Sequence, residues 1–560
     1  MLEGRGVFVD AVAIAASARR RYGRRIRFRL AQLALAVACL SVATGTNAQV
    51  QQQLDRCAGK DSVAVDLAIA ACTAVIGSNA YAGRDLAFAF DDRGNAYYAR
   101  KDYDRAIADY TEAIKLDPNH VLSFQNRGIA YLAEQNYDHA IADFTEEIRL
   151  DPSRASIYVV RGDSYAAKHD YDGAVADYSE AIRLDPKDGS RFHHRGNAYR
   201  AKQDYERSIA DFTAAIAFNP KDAGAFADRA KSYFAKGEYD HAIDDYSEAI
   251  RLDPKDRGAF AGRGLAYHAK RNYEFAIADY SGAIALDPHD AFTFNNRGDA
   301  SYAKKDYDRA IADLTEAIRL DPSRASTYEA RGNSYFAKHD YDHAIEDYSE
   351  AVKLDPKNRR SFYDRGIAYR AKQEYDHGIA DLTAVISLNS NDAAALADRG
   401  NLYLAKHDYD HAIADFDHAI RLDPRDCSAV YGRGLAYHAK QNYDLAIADY
   451  AATIALDPNN ALAFSNRGSA YYAKNEYDHA IADYTDAIAR DPRNALTFNN
   501  RANAYYAKQN YARAIVDYTE AIRLDPGLSS AYSGRGNAYN AEGEVDRADA
   551  DLNQAKQLKK

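Results

Sequence analysis

Arginine and aspartate recur in this sequence at one fixed separation. Arg93 and Asp109 are sixteen residues apart, as are Arg127 and Asp143, and the series runs on to Arg535 and Asp551. A planar guanidinium and a carboxylate can form a bidentate ion pair. Because each Arg has its own Asp, the economical reading is a structural pair that sets register more than it adds stability. The other reading is an arginine ladder that binds an anionic polymer. A lysine row from Lys168 to Lys508 has acids close beside it, which cancel most of its field.

Two HDYDH segments, with His339 and His343 in one and His407 and His411 in the other, have the spacing of a helical metal pair. The first histidine of each falls in a turn, and structural metal sites need more ligands than two. Solvated polar turns, with no metal, are therefore expected. There is no nucleophile–base set, no glycine-rich phosphate loop and no CxxC motif, and the many carboxylates are periodic. No catalytic residue and no cofactor can be assigned, so the sequence does not read as an enzyme.

These residues are placed by a repeat. All 12 prolines, from Pro118 to Pro526, share one register of 34 residues, and Ser390 fills the one gap. A period of this length marks a helical array. Counting Ala87 as position 1, thirteen repeats fill 87–528 and a fourteenth, two residues short, spans 529–560. Positions 1–14 predict a first helix. Positions 17–30 predict a second, with apolar residues at 17, 20, 21, 24, 27 and 28, an amphipathic spacing. The turn between them is polar, and proline at position 32 ends the second helix. The Arg series is position 7 and the Asp series position 23.

The repeat has an aromatic residue at 4, Gly at 8, Tyr at 11 and 17, Ala at 20, an aromatic at 24, Ala at 27 and Pro at 32. In the first repeat these are Phe90, Gly94, Tyr97, Tyr103, Ala106, Tyr110, Ala113 and Pro118. This pattern resembles the tetratricopeptide repeat family. The resemblance implies an all-α fold, a right-handed α-solenoid (superhelix) of antiparallel helix pairs. It departs from the family in Arg at position 7, where Leu is usual, and in Phe or Tyr for the frequent Trp at position 4.

The resemblance also implies that ligand contacts come from positions 2, 5, 9 and 12 of the first helix, on the concave face. Here those positions vary. Position 12 supplies Tyr98, Arg200, Phe234, His268, Tyr302, Phe336, Arg370, His438, Tyr472 and Tyr506, and position 9 supplies Asn95, Asn197 and Asn333. Such side chains suit an extended peptide, or a glycan stacked on Tyr faces; they could also be merely tolerant surface positions. The family's clamp for a C-terminal carboxylate is absent. Asn95 and Asn126 match its Asn pair, but Asp91, Ser156 and Val160 stand where its cations belong. Several segments recur 170 residues apart, for example GRGLAYHAK at 262–270 and 432–440, so a five-repeat block has been duplicated.

Residues 1–48 read as a signal peptide: a basic run from Arg19 to Arg29, an apolar stretch from Leu30, and a cleavage site after Ala48. A retained anchor is the alternative. Those residues hold eight Arg and two acids, so the remainder stands near −17 against −11 for the whole chain, which disfavours nucleic acid. Residues 49–86 are expected to cap the array with a degenerate repeat helix over 62–77. Cys57 and Cys72 are expected to pair, with two buried thiols as the alternative. The last helix carries Asp549 and Lys556 where inner repeats have Ile, a polar cap. The chain is thus expected to be a periplasmic or secreted scaffold that binds protein or peptide and has no membrane span once processed. The alternative is a glycan-binding accessory protein in polysaccharide export or cell-envelope assembly.

Overall fold

The computed structural model describes residues 46–58, 64–78 and 81–558. The signal-peptide features at 1–45 lie outside them. Among the described residues there are thirty helices and no strand. The chain divides into two compact parts, Met1–Pro288 and His289–Lys560. Within each, consecutive helices pack as antiparallel pairs and each pair packs on the next, a solenoid of hairpins.

The local chemistry of one hairpin explains them all. Position 16 is the N-cap of the second helix, and in several repeats its Asp or Asn side chain takes up a free backbone N–H; Asp170, for instance, accepts from the Gly173 backbone N–H at 3.0 Å. The residue before the cap, position 15, is left-handed in every repeat. Twelve non-glycine residues, Lys101 to Gln509, hold φ between 58° and 63° there, and Gly237 and Gly543 fill the other two places. A left-handed non-glycine residue costs about 1 kcal/mol, yet the turn needs it. The amide of position 16 then bonds back to the carbonyl of position 11, as Asp340 N–H does to Tyr335 at 3.0 Å, which closes the first helix.

Small residues let the helices close. Ala at positions 20 and 27 is buried in most repeats, and the position 24 ring lies across the first helix. A Cβ on Gly94 would meet the Tyr110 ring at 2.6 Å. Where Ala replaces that glycine, at Ala230 and Ala502, the following repeat has Gly at position 6. A Cβ on Gly262 would lie 2.4 Å from Tyr246, and one on Gly534 would lie 2.3 Å from Tyr518. In both cases the position 24 ring also lies against the next hairpin, as Phe416 does against Gly432.

The ends differ from the interior. The capping helix Val65–Gly77 buries Ala68, Ala71, Cys72 and Val75, while the first helix of repeat 1 starts early, at Gly83. The structure joins Cys57 to Cys72. In the last helix, Val545–Leu558, Asp549 and Lys556 are exposed.

One core position breaks the pattern. Glu147 occupies position 27, where the other repeats carry Ala, Val or Thr. It is fully buried, and Arg154 Nη1 donates to its Oε1 at 2.5 Å, while Oε2 and the neighbouring Gln125 Nε2 have no partner. Burial pushes the carboxyl up to about 8 against the pull of Arg154. An acid whose folded pKa exceeds its unfolded value, about 4.3, stabilises the fold most below the unfolded value. That contribution is lost as pH rises through the folded one. Hydrogen exchange of repeats 2 and 3 is therefore expected to quicken, relative to other repeats, between about pH 4.5 and 8. Glu147→Ala should remove the slope and slow the exchange. At the turn, His339→Gly should stabilise repeat 8 by about 0.5 kcal/mol and Gly237→Ala should destabilise repeat 5 by about 1 kcal/mol, read as shifts in local exchange protection.

Candidate binding face and the inter-repeat stitch

The Arg–Asp series recurs as one bidentate geometry. Arg93 Nε and Nη2 both donate to Asp109 at 2.7 Å, and Arg127 makes the same fork to Asp143 at 2.9 and 2.7 Å. The geometry recurs in all fourteen repeats; the last example is Arg535 with Asp551. The aspartates are buried and the arginines mostly so. Burial pushes Asp143, Asp177 and Asp347 up, and their arginines oppose it.

Sequence reasoning missed the third contact. In most repeats the remaining Arg nitrogen, Nη1, donates to the position 25 side chain of the preceding hairpin; Ala451, ahead of Arg467, offers no acceptor. Arg127 reaches Thr111 at 3.0 Å, Arg195 reaches Ser179 at 3.0 Å, and Arg365 reaches Ser349 at 3.0 Å. Arg93 reaches Thr73 of the capping helix at 3.2 Å, and Arg433 finds Asp417 at 2.6 Å. One guanidinium therefore ties its own hairpin together and stitches it to the one before. The lysine row does a lesser version on another edge: Lys474 bonds Asp444 of the preceding repeat at 2.7 Å, and Lys168 and Lys202 bond Asp138 and Asp172. With these partners, neither series stands free as a ladder for an anionic polymer.

The HDYDH histidines turn to separate partners. His339 Nδ1 lies 2.8 Å from the Tyr341 hydroxyl, while His343 Nδ1 lies 2.8 Å from Asp340. Among the described residues no group of three metal-ligating side chains occurs.

Position 12 forms a row of ring pairs. Each aromatic or histidine there packs against the Tyr that opens the second helix. Tyr98 meets Tyr103 at 5.4 Å, Phe234 meets Tyr239 at 5.4 Å, and His268 meets Tyr273 at 5.2 Å. The same contact joins Tyr302 to Tyr307, Phe336 to Tyr341, His438 to Tyr443, Tyr472 to Tyr477 and Tyr506 to Tyr511. Tyr302, Tyr472 and Tyr506 are exposed even so, at 39%, 36% and 36%. Burial lowers the pKa of His268 and of His438, which favours the neutral ring.

Position 9 has a structural duty that its variability concealed. Tyr110 donates its hydroxyl proton to Asn95 at 3.0 Å, Tyr348 to Asn333 at 2.8 Å, and Tyr518 to Asn503 at 2.6 Å. Asp163 and Ser469 accept from Tyr178 and Tyr484 in the same way. These side chains satisfy the one polar atom of a buried ring. Asn197, whose repeat has Phe212 at position 24, instead accepts from Arg200 at 2.6 Å. The Asn95–Asn126 pair closes on Asp91, which also accepts from Ser123 at 2.7 Å.

Comparison with known families fits this architecture. A model described as "TPR repeat" matches residues 94–135, 196–237, 230–271, 298–338, 332–372 and 468–509. Models described as "Tetratricopeptide repeat" match 126–189, 397–461 and 495–528. Together they span well over half of the chain, which belongs to the tetratricopeptide repeat family. No curated protein sequence matches it. Among solved structures, it is similar to the APC/C hetero-tetramer Cut9–Hcn1 at 15% identity, covering 83% of this chain and 99% of that one with a TM-score of 0.36. Yeast Tom70 aligns at 17% identity over 80% of this chain and 98% of its own, with a TM-score of 0.30. YrrB, described as a TPR protein with an unusual peptide-binding site, aligns at 26% identity over 33% and 95%, with a TM-score of 0.31.

Cutting the stitch should cost more than an exposed ion pair. Arg331→Ala leaves Asp347 buried without its fork and removes the bond to Thr315. A loss of about 3 kcal/mol is expected, seen as faster amide exchange in repeats 7 and 8. Thr315→Val, which removes only the inter-repeat contact, should cost about 1 kcal/mol.

Proposed function

We propose that this chain is an exported scaffold that holds protein or peptide partners along the variable face of its first helices. The observation that carries the reading is the position 12 row. Rings there recur in register, are braced from one side by Tyr at position 17, and still expose part of their surface. Braced aromatic side chains give large contact area at low entropic cost, as binding hot spots do. Protein–protein interaction is also the common work of the repeat family. The glycan reading draws on the same Tyr faces and is the alternative.

Export is part of the proposal. The basic and apolar segments at 19–45 support it, as does the Cys57–Cys72 pair, since disulfides persist in oxidising compartments. No helix among the described residues is long and apolar enough to cross a membrane. The processed chain is proposed to lie in a periplasm or outside the cell.

Affinity capture from a cell-envelope extract, repeated with Tyr98, Phe234, Tyr302 and Tyr472 changed to Ala, tests the binding face. Specific protein partners should be lost from the variant bait while its helical circular dichroism is kept. Identical partners on both baits would defeat the reading, and recovery of polysaccharide alone would favour the alternative. Mass spectrometry of the native protein should find Gln49 at the amino terminus and no free thiol at Cys57 or Cys72.

A further inference from the structure

The duplicated block carries the same arginine twice on the variable face, and the two copies are neutralised differently. Arg370 in repeat 9 is closed. Its Nη1 donates to Asp398 at 2.5 Å, and Tyr363 donates its hydroxyl proton to the same carboxylate at 2.5 Å. One cation meets one anion there, and the fifth-repeat equivalent of Lys231 is the uncharged Asn401.

Arg200 in repeat 4 is open. Its partner Asp228 is also held by Lys231 at 2.8 Å and by His193 Nε2 at 2.8 Å, leaving Arg200 Nη2 at 3.6 Å. Three basic groups converge on a single carboxylate. Burial alone would push Asp228 up, but His193, Lys231 and Arg200 hold it well below the usual carboxylate range. Arg200 Nη2 turns instead to the neutral Asn197, and its buried Nε has no partner at all. The nearby acids are otherwise engaged: Asp163 takes the Tyr178 hydroxyl and faces His194, and Asp256 caps the next helix. Arg200 and Lys231 retain 32% and 47% exposure, so an incoming group can reach them. In a chain of net charge −11, this is a local surplus of positive charge on the face that holds Phe234.

We infer that the Arg200–Lys231–His193 cluster is a docking point for an acidic peptide segment, whose carboxylate completes the charge balance that Asp228 leaves unmet. This rests on the binding face proposed above and names the chemistry of one part of it. A carboxylate could accept from the exposed edge of the Arg200 guanidinium and from Lys231 Nζ together, in a partly desolvated site where charge-assisted bonds are strong. Phe234, one repeat on, offers apolar contact to the neighbouring peptide residue. A positively charged or neutral segment would leave the surplus unpaired.

The test uses the purified chain and fluorescein-labelled octapeptides of glutamate, glutamine and lysine, with an oligogalacturonate as the acidic glycan. Anisotropy should show binding of the glutamate peptide that weakens steadily with salt. Arg200→Gln with Lys231→Gln should weaken it at least tenfold, Arg370→Gln by less than twofold, and Asp228→Asn should tighten it severalfold. Thermal melting by circular dichroism checks that each variant is folded; if Asp228→Asn is not, the double variant carries the test. Equal affinity for the glutamine peptide, indifference to the double substitution, or equal binding of oligogalacturonate would each overturn the inference. Captured partners that depend on Phe234 but not on Arg200 or Lys231 would leave the binding face standing and remove only this docking point. Partners indifferent to all three would remove both.

Discussion

The array depends on how one side chain divides its donors. A guanidinium has five N–H groups in a rigid fork. At position 7, Nε and Nη2 take the Asp of the same hairpin, and in most repeats Nη1 crosses to the hairpin before. Hydrophobic burial drives the stacking, because one hairpin cannot cover its own apolar face. Burial is not directional, however, and Ala-rich faces could slide. The fork permits only one offset between neighbours, so it converts a general attraction into a defined geometry. This explains why a polar residue occupies a slot where other arrays of the family use Leu.

With the hairpins fixed, the face becomes a set of independently variable sites. Position 12 changes from Tyr to Arg to His without altering the backbone, since its support comes from the Tyr that thirteen of the fourteen repeats carry at position 17. Position 9 is less free. It answers inward to the hydroxyl of position 24 where that residue is Tyr and an acceptor is present, and is released from that duty elsewhere, as at Asn197 beside Phe212 and Lys231 beside Tyr246. The variable face is therefore partly a record of core composition, and the proposed binding rests on position 12 and on the charges around Asp228.

Much of this was legible in the sequence. Proline spacing, the 3.6-residue periodicity and the match to the repeat pattern define the helices, and the constant separation of Arg93 and Asp109 announces their pairing. Three features were not legible. The bond to Thr111 joins residues whose chain separation equals that of the Arg–Asp pair but in the opposite direction, and Thr, Ser or Asp at position 25 looks like ordinary surface. The left-handed turn residue is hidden because Lys, Gln, His and Arg mostly occupy it, with Gly237, Asn475 and Gly543 as hints. The role of Asn95 is visible only by reading position 9 beside position 24, a correlation between helices rather than along one. Glu147 did carry a signal, an acid in an Ala slot, but its partner Arg154 lies beyond the end of the helix.

The paired exchange of Ala230 with Gly262, and of Ala502 with Gly534, has a consequence for the array's history. Repeats of equal length look interchangeable, and unequal crossing-over in multiples of 34 residues would keep the reading frame. Yet some hairpins need a successor with no side chain at position 6, because the Tyr246, Phe416 or Tyr518 ring already fills the space a Cβ on Gly262, Gly432 or Gly534 would take. Order within the chain is thus constrained by an adjacency rule, much as letters are in spelling. A duplication that kept such neighbours together, as a five-repeat block does for repeats 5 and 6, passes that rule, whereas a shuffle of single repeats would break it.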